Sequence, residues 1–343
     1  MNTEPTGHRV FGLGDLMLQG GATLPAARIA YKTYGRLNED RSNAILYPTS
    51  YSAQHSDIEW LIGEDGVLDP SCYFIVIPNM FTNGLSSSPS NTEMPGGPGS
   101  FPGITVADNV HAQRRLLTEA LGVERLALVY GWSMGGQQAY HWGALYPEAV
   151  DRICVVCGSA RTAPHNQVFL EGVKAALTAD AAYRDGWFHE PPVRGLKAMA
   201  RVYAGWALSQ AFYRAELWRG LGYATLEAFL VESWEAQFLR RDANDLLAQI
   251  WTWWHSDIAD NEIYRGDLAA ALGAIRAKAL IMPSQTDLYF RTADNESERR
   301  HLADAELRPI PSIWGHRAGN PRDNPPDAAY LRAAVAELLA AQA

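Results

Sequence analysis

Short apolar runs bounded by polar, Gly or Pro residues recur along the chain. They are AILY at Ala44–Tyr47, YFIVI at Tyr73–Ile77, LALVY at Leu126–Tyr130, ICVV at Ile153–Val156 and ALIM at Ala279–Met282. Continuous apolar runs of this length suit strands buried on both faces, as in a parallel sheet. Ahead of them, two extended segments near Phe11–Leu18 and Arg28–Tyr34 are joined through Gly20 and Gly21 and read as an antiparallel pair. Helical patterns fall between the runs. Asp108–Leu121 places Val110, Leu116, Leu117 and Leu121 among charges, Met134–Tyr146 is small and apolar, and Asp327–Ala341 is rich in Ala and Leu. Strand–helix alternation of this kind predicts right-handed crossovers and an α/β fold with a mostly parallel central sheet flanked by helices.

The alternation stops over residues 162–268. That block has no clear strand run, reads as mostly helical, and holds seven of the 11 Trp: Trp187, Trp206, Trp218, Trp234, Trp251, Trp253 and Trp254. Strand and helix signals then resume. The expected organisation is one α/β core, residues 1–161 and 269–343, carrying a helical lid insertion at 162–268. The Gly/Pro/Ser-rich stretch from Asn79 to Gly103 has no periodicity, but it sits inside the core between a strand and a helix. A long ordered loop near the functional edge of the sheet is expected there. No repeat at a period of about 20–50 residues is present.

The chain has 343 residues, with 29 Lys and Arg against 38 Asp and Glu, a formal charge of −9. An acidic chain without a basic cluster does not suit a phosphate backbone, so no nucleic-acid partner is expected. No apolar run approaches the roughly 18 residues needed to span a bilayer, and no polybasic tract would hold a membrane surface. The first 15 residues lack a basic segment followed by an apolar one and do not read as a signal peptide. Three cysteines cannot all pair, which points to a reducing, cytoplasmic setting. Cys154 and Cys157 form a CxxC inside a strand-like run and read as core residues. No HExxH or paired CxxC offers a metal site, and no strand-anchored G-x-G-x-x-G or GxxxxGK[ST] supports a nucleotide, so no cofactor is expected.

The strongest chemical signal is Gly131-Trp132-Ser133-Met134-Gly135, a G-x-S-x-G directly after a strand and directly before a helix. That setting is what a nucleophile elbow requires: a strained turn lifts the serine hydroxyl above the sheet at a helix N-terminus. The hydroxyl is a weak nucleophile until a base takes its proton. In this architecture an acid and then a histidine follow in sequence. Asp287 lies just past the end of the ALIM strand, and His316 follows Gly315 in a loop before the last helix. Asp257, Asp260 and Asp267 fall within or at the end of the insertion, and the other histidines lack a strand-end context. Acyl transfer also needs an oxyanion hole. The N–H of Met134 supplies one donor, and the loop after AILY, at Ser50 or Tyr51, supplies the other.

With these residues in place the chain resembles homoserine O-acetyltransferase-like α/β-hydrolases. The resemblance runs through YKTYGRLN, PNMFTNGLSSSPSN, FPGITVADNVHAQRRLL, GWSMGGQQA, the late Asp and His, and the insertion segment GLKAMARVYAGWALSQAFYR. It implies a serine acyl-enzyme, a Ser133–Asp287–His316 triad, Tyr51 as the second oxyanion position, a deep tunnel beneath the lid, and homodimers formed through the lid. Two positions depart from the family pattern. Arg317 stands where the acetyltransferases carry an aspartate for the acceptor's ammonium, and a cation there repels an amine. Ala204-Gly205-Trp206 follows Tyr203 where a histidine is expected. Arg201 matches a family arginine and is expected, with Arg317, to contact substrate. The sequence therefore leads to a carboxylic ester hydrolase acting on small short-chain, acetate-type esters. The alternative is an O-acyltransferase using acetyl-CoA, and a catalytically silent interaction module is disfavoured by the intact Ser, Asp and His.

Overall fold

The computed structural model describes residues 7–341. Among the described residues ten strands are formed: β1 (Arg9–Met17), β2 (Thr23–Tyr34), β3 (Ala44–Leu46), β4 (Phe74–Pro78), β5 (Leu128–Trp132), β6 (Arg152–Val156), β7 (Tyr183–Arg184), β8 (Trp187–Phe188), β9 (Lys278–Met282) and β10 (Ala305–Leu307). Eight of them make one sheet in the order β1-β2-β4-β3-β5-β6-β9-β10. β1 and β2 pair antiparallel, as does β2 with β4, and every other pairing in that sheet is parallel. This is an α/β-hydrolase architecture.

Each inner strand is apolar on both faces because both faces are covered. Val129 packs on one side with Leu46, Ile153 and the helix residues Val110, Leu116 and Leu117. Leu128 and Tyr130 pack on the other side with Ile45, Cys154 and the last helix through Leu331 and Val335. That last helix runs Pro325–Ala340, opened by two prolines at its first positions, where a missing N–H costs nothing. The register sets the functional edge. Trp132 pairs with Val156, and Val156 with Met282, so β5, β6 and β9 end level and the residues that follow them emerge side by side.

Several boundaries differ from the sequence expectation. β5 starts at Leu128, two residues late, because Leu126 bridges Val150 instead, and it continues through Gly131 and Trp132 to the elbow. The helix expected over Asp108–Leu121 begins at Val106, where Thr105 and Asp108 form a reciprocal cap, and loosens into a π-helical turn over Leu116–Ala120. β10, with the sequence AEL, lacks an apolar run because it is the sheet's edge strand.

Residues 162–268 contribute nothing to the large sheet. They form helices Pro164–Thr178, Val193–Ala207 and Ala243–Trp254, several shorter turns, a π-helical segment Leu230–Glu235, and the β7–β8 hairpin. The hairpin turns through Asp185 and Gly186, both at positive φ, as a two-residue primed turn demands. Where the block leaves and rejoins the core, Ile258 N–H donates to Ala160 O, Thr162 N–H donates to Ser256 O, and Arg161 pairs with Asp257 at 2.6 Å. Its own aromatic cluster, including Phe169, Tyr203, Phe212, Trp234, Phe238 and Trp253, packs onto Tyr51, Met134, Tyr289 and Phe290 of the core.

The elbow depends on absent side chains. Helix Met134–Leu145 starts so close behind β5 that a Cβ on Gly131 would lie 2.0 Å from the backbone oxygen of Gly135. No rotamer relieves a clash with backbone. Gly131→Ala is therefore expected to lose about 3 kcal/mol or more of stability, read as a lower urea midpoint at unchanged slope.

Candidate active site

Ser133 takes φ 60° and ψ −126°, a strained conformation for a residue with a side chain. It is held there by its N–H bonding to Val156 O at 2.9 Å and by its own C=O receiving Gln137 N–H at 3.1 Å. The side chain is thereby presented at the level sheet edge. From β9, the chain turns at Ser284–Asp287, and the Asp287 carboxylate accepts the N–H groups of Tyr289 and Phe290 at 3.0 Å each. Its other oxygen lies 2.7 Å from His316 Nδ1. His316 comes from the loop after β10, a 3₁₀ turn over Gly315–Gly319. Its ring stacks on Trp132, with centroids 5.0 Å apart, and lies against Tyr289 at 4.5 Å. Trp132 Nε1 also donates to the His316 carbonyl at 3.2 Å. Nδ1 is thus committed to the carboxylate, while Nε2 is buried and makes no hydrogen bond among the described residues.

Ser133, His316 and Tyr51 share the wall of one cavity of about 150 Å³, closed by Tyr203, Trp234 and Phe238 of the insertion. Tyr51 is buried, with its ring parallel to that of Tyr203 at 5.7 Å. Its backbone sits on a bend fixed by Ser50, whose hydroxyl donates to Trp132 O, and by Ser52 N–H bonding to Gln249 of the insertion. Neither the Tyr51 nor the Met134 N–H enters a backbone hydrogen bond among the described residues. Both stay available to a negative oxygen formed beside Ser133. The Met134 side chain is packed away in the aromatic cluster.

The two arginines part company. Arg317 lines the cavity and makes no ion pair among the described residues, and its Nε is buried without a partner. Burial lowers its pKa, with Asp323 opposing. Arg201 does not reach the cavity. Its guanidinium is divided between Glu235 at 2.7 Å and Glu227, tying two stretches of the insertion together. The matched arginine is therefore a brace in this chain, because two carboxylates of its own lid occupy it.

Several site residues escape the sequence reading. Cys157 is buried, but its sulfur, the Asp287 carboxylate and the His316 ring nitrogen lie within 4.8 Å of one another. Burial pushes its thiol pKa well up, so it backs the carboxylate as a neutral group. The sheet register carries the signal: Val156 precedes it and pairs with Met282. Tyr203, Phe238 and Tyr289 close the cavity, yet nothing in their local sequence separates them from other core aromatics. Among the seven Trp of the insertion, Trp234 alone lines the cavity. The Asn79–Gly103 loop braces the site without lining it. Asn79 receives His55 N–H at 3.0 Å, Asn109 receives Phe81 N–H at 2.8 Å, and Ser90 donates to Asp245 of the insertion at 2.6 Å.

With that geometry in hand, known proteins give the frame. A family model described as the α/β hydrolase fold matches residues 62–188, which include the elbow. An ethyl acetate hydrolase from Pseudomonas veronii is 39% identical over 90% of this chain and 88% of its own length. The structure of the acetyl esterase MekB superposes with a TM-score of 0.94 at 37% identity, covering 97% of each chain. A homoserine O-acetyltransferase from Zymomonas mobilis is 33% identical over 82% of this chain and 83% of its own. The chain belongs to the α/β-hydrolase family, in the group that unites these esterases with the homoserine O-acetyltransferases.

One buried acid supports the backing loop. Glu298 accepts Ala160 N–H at 2.8 Å and an Asn295 amide N–H at 2.9 Å, and Asn295 donates in turn to Gly158 O. Burial raises the Glu298 pKa to about 7. A raised folded-state pKa means that the folded protein holds this proton after the unfolded chain has released it. Stability then falls as pH rises from about 4.5 to 7, by about 3 kcal/mol on this group's account. Glu298→Gln should remove that slope, checked by urea unfolding at intervals from pH 4.5 to 8.

Proposed function

We propose that this protein hydrolyses small short-chain esters, acetate-type above all, through an acyl-enzyme on Ser133. The observation that carries the reading is the small aromatic-walled cavity holding Ser133 together with the His316–Asp287 pair. The named activities of the ethyl acetate hydrolase and the acetyl esterase support it. In the proposed cycle, Ser133 Oγ attacks the ester carbonyl while His316 Nε2 takes its proton. Asp287 holds Nδ1–H, fixes the tautomer and stabilises the imidazolium. The N–H groups of Met134 and Tyr51 stabilise the oxyanion. His316 gives its proton to the departing alcohol, then activates a water that releases the acyl group.

Two observations favour water over an amino-acid acceptor. Arg317 puts positive charge at the cavity wall, which disfavours an ammonium group. Arg201, occupied by Glu227 and Glu235, offers nothing to a carboxylate. The walls then set chain length. Each methylene that fits gains about 0.8 kcal/mol, but one that meets Tyr203, Trp234 or Phe238 gains nothing and is excluded by overlap.

In a series of p-nitrophenyl esters from acetate to decanoate, kcat/KM is expected to peak between two and about four carbons, the range in which added methylenes still find room. Ser133→Ala should lower kcat by about 10⁴-fold or more while the circular dichroism spectrum is kept. A peak at octanoate or beyond would overturn the size limit. Efficient acetyl transfer from acetyl-CoA to homoserine would overturn the hydrolase assignment.

The insertion is also assigned as a dimer surface. Of the ten large hydrophobic residues most exposed in the described chain, seven lie in it, among them Val168, Val193, Leu226, Val231 and Trp251. This concentration on one block is what supports a partner surface there. Two copies meeting through their lids, in the cytoplasm, is the arrangement proposed. Light scattering at micromolar concentration should give about twice the chain mass, and a monomer would count against it.

A further inference from the structure

We propose that Arg317 is a receptor for the carboxylate product, and that the acid leaves past it into a second chamber. The inference rests on ester hydrolysis at Ser133. The chemistry imposes an asymmetry on this site: a neutral ester enters and an anion must leave. In deacylation, the water oxygen bonds to the acyl carbon as the carbon–Oγ bond breaks, and His316 relays a water proton to Oγ. The acid formed then loses its own proton at neutral pH. A carboxylate therefore appears in a cavity partly walled by Tyr51, Tyr203, Trp234, Phe238 and Tyr289, where partial desolvation disfavours an unpaired charge.

Two guanidinium groups of the wall, Arg317 and Arg322, hold no ion pair among the described residues, and Arg317 is the one beside His316. Arg317 adjoins His316, stays cationic at any working pH, and has no ion pair of its own; its buried Nε makes no hydrogen bond. Arg240 also lines the cavity, but Asp57 occupies it. A fork of unpaired N–H donors fits a carboxylate and gives a neutral ester no comparable bond. Arg317 also lines a second cavity of about 450 Å³ on its far side, and Trp234 and Arg322 belong to both walls. The partition between the chambers is thus one indole and two guanidinium groups. Trp234 stands on the π-helical segment Leu230–Glu235, a helix form that is locally strained and often found at functional sites. Asp323 lines the far chamber together with Arg317 and Arg322.

The test is inhibition of p-nitrophenyl acetate hydrolysis by sodium acetate at constant ionic strength, with acetamide as the uncharged match. Acetate is expected to inhibit the unmodified protein at least about tenfold more strongly than acetamide, and Arg317→Met should raise the acetate inhibition constant by about tenfold or more. Arg317→Lys, which keeps a point charge, should raise it less. Equal inhibition by acetate and acetamide, or an inhibition constant that Arg317→Met leaves unchanged, overturns the proposal. A carboxylate on the alcohol side of the ester would offer the guanidinium the same chemistry. If Arg317→Met lowers kcat/KM only for such esters and leaves acetate inhibition alone, the product site is likewise overturned. Acetate binding to Ser133→Ala, followed by ¹³C line broadening with and without Arg317→Met, reads the site without turnover. Loss of ester hydrolysis and loss of the anion site are thereby separate results.

Discussion

The structure turns on how closely helix Met134–Leu145 approaches the strands behind it. Gly136 and Gly158 meet backbone to backbone: a Cβ placed on Gly158 would lie 3.0 Å from the Gly136 Cα. That approach holds Ser133 in its left-handed turn and brings the chain leaving β6 under it. It also places Cys157 behind the Asp287 carboxylate. Strain at one serine is sustained by many ordinary contacts around it: paired strands, a buried helix and the Glu298–Asn295 anchor. No local preference of Ser133 itself would produce it.

The second constraint is electrostatic. The cavity brings together His316, whose Nδ1 is held by Asp287, Arg317, which makes no ion pair among the described residues, and a wall that includes Tyr51, Tyr203, Trp234 and Phe238. In such a medium charges are weakly screened and their placement dominates. Arg201 of the insertion is held as a brace by Glu227 and Glu235, while Arg317 sets a cation next to His316.

Much of this was legible in the sequence because the features are local. Five apolar runs mark the inner strands, since both faces of each are buried. G-x-S-x-G between a run and a helix marks the elbow, since backbone crowding requires its glycines. Asp287 and His316 follow from chain order and strand ends. What was not legible depends on distant partners. β10 has no apolar signature, as an edge strand needs none. Arg201 looks like a ligand until Glu227 and Glu235 are seen to hold it, and those partners lie 26 and 34 residues away. Cys157 reads as core because burial and proximity to the site are the same fact seen from two sides.

The strand order has a consequence for how the molecule is made. β6 pairs with β9, so Arg152 meets Lys278 only after the whole insertion has been synthesised. Until then the central sheet ends in an open edge rich in Val and Ile, the kind of edge that recruits other strands. Asp287 and His316 arrive later still, so a ribosome-bound chain can present the serine long before anything activates it. Helices that form from local contacts and rest on the growing core, as Val193–Ala207 does through Tyr203 and Tyr51, therefore lie between a vulnerable edge and its partner. The insertion's length, which looks like a decoration on the finished enzyme, sets how long the nascent sheet waits to be closed.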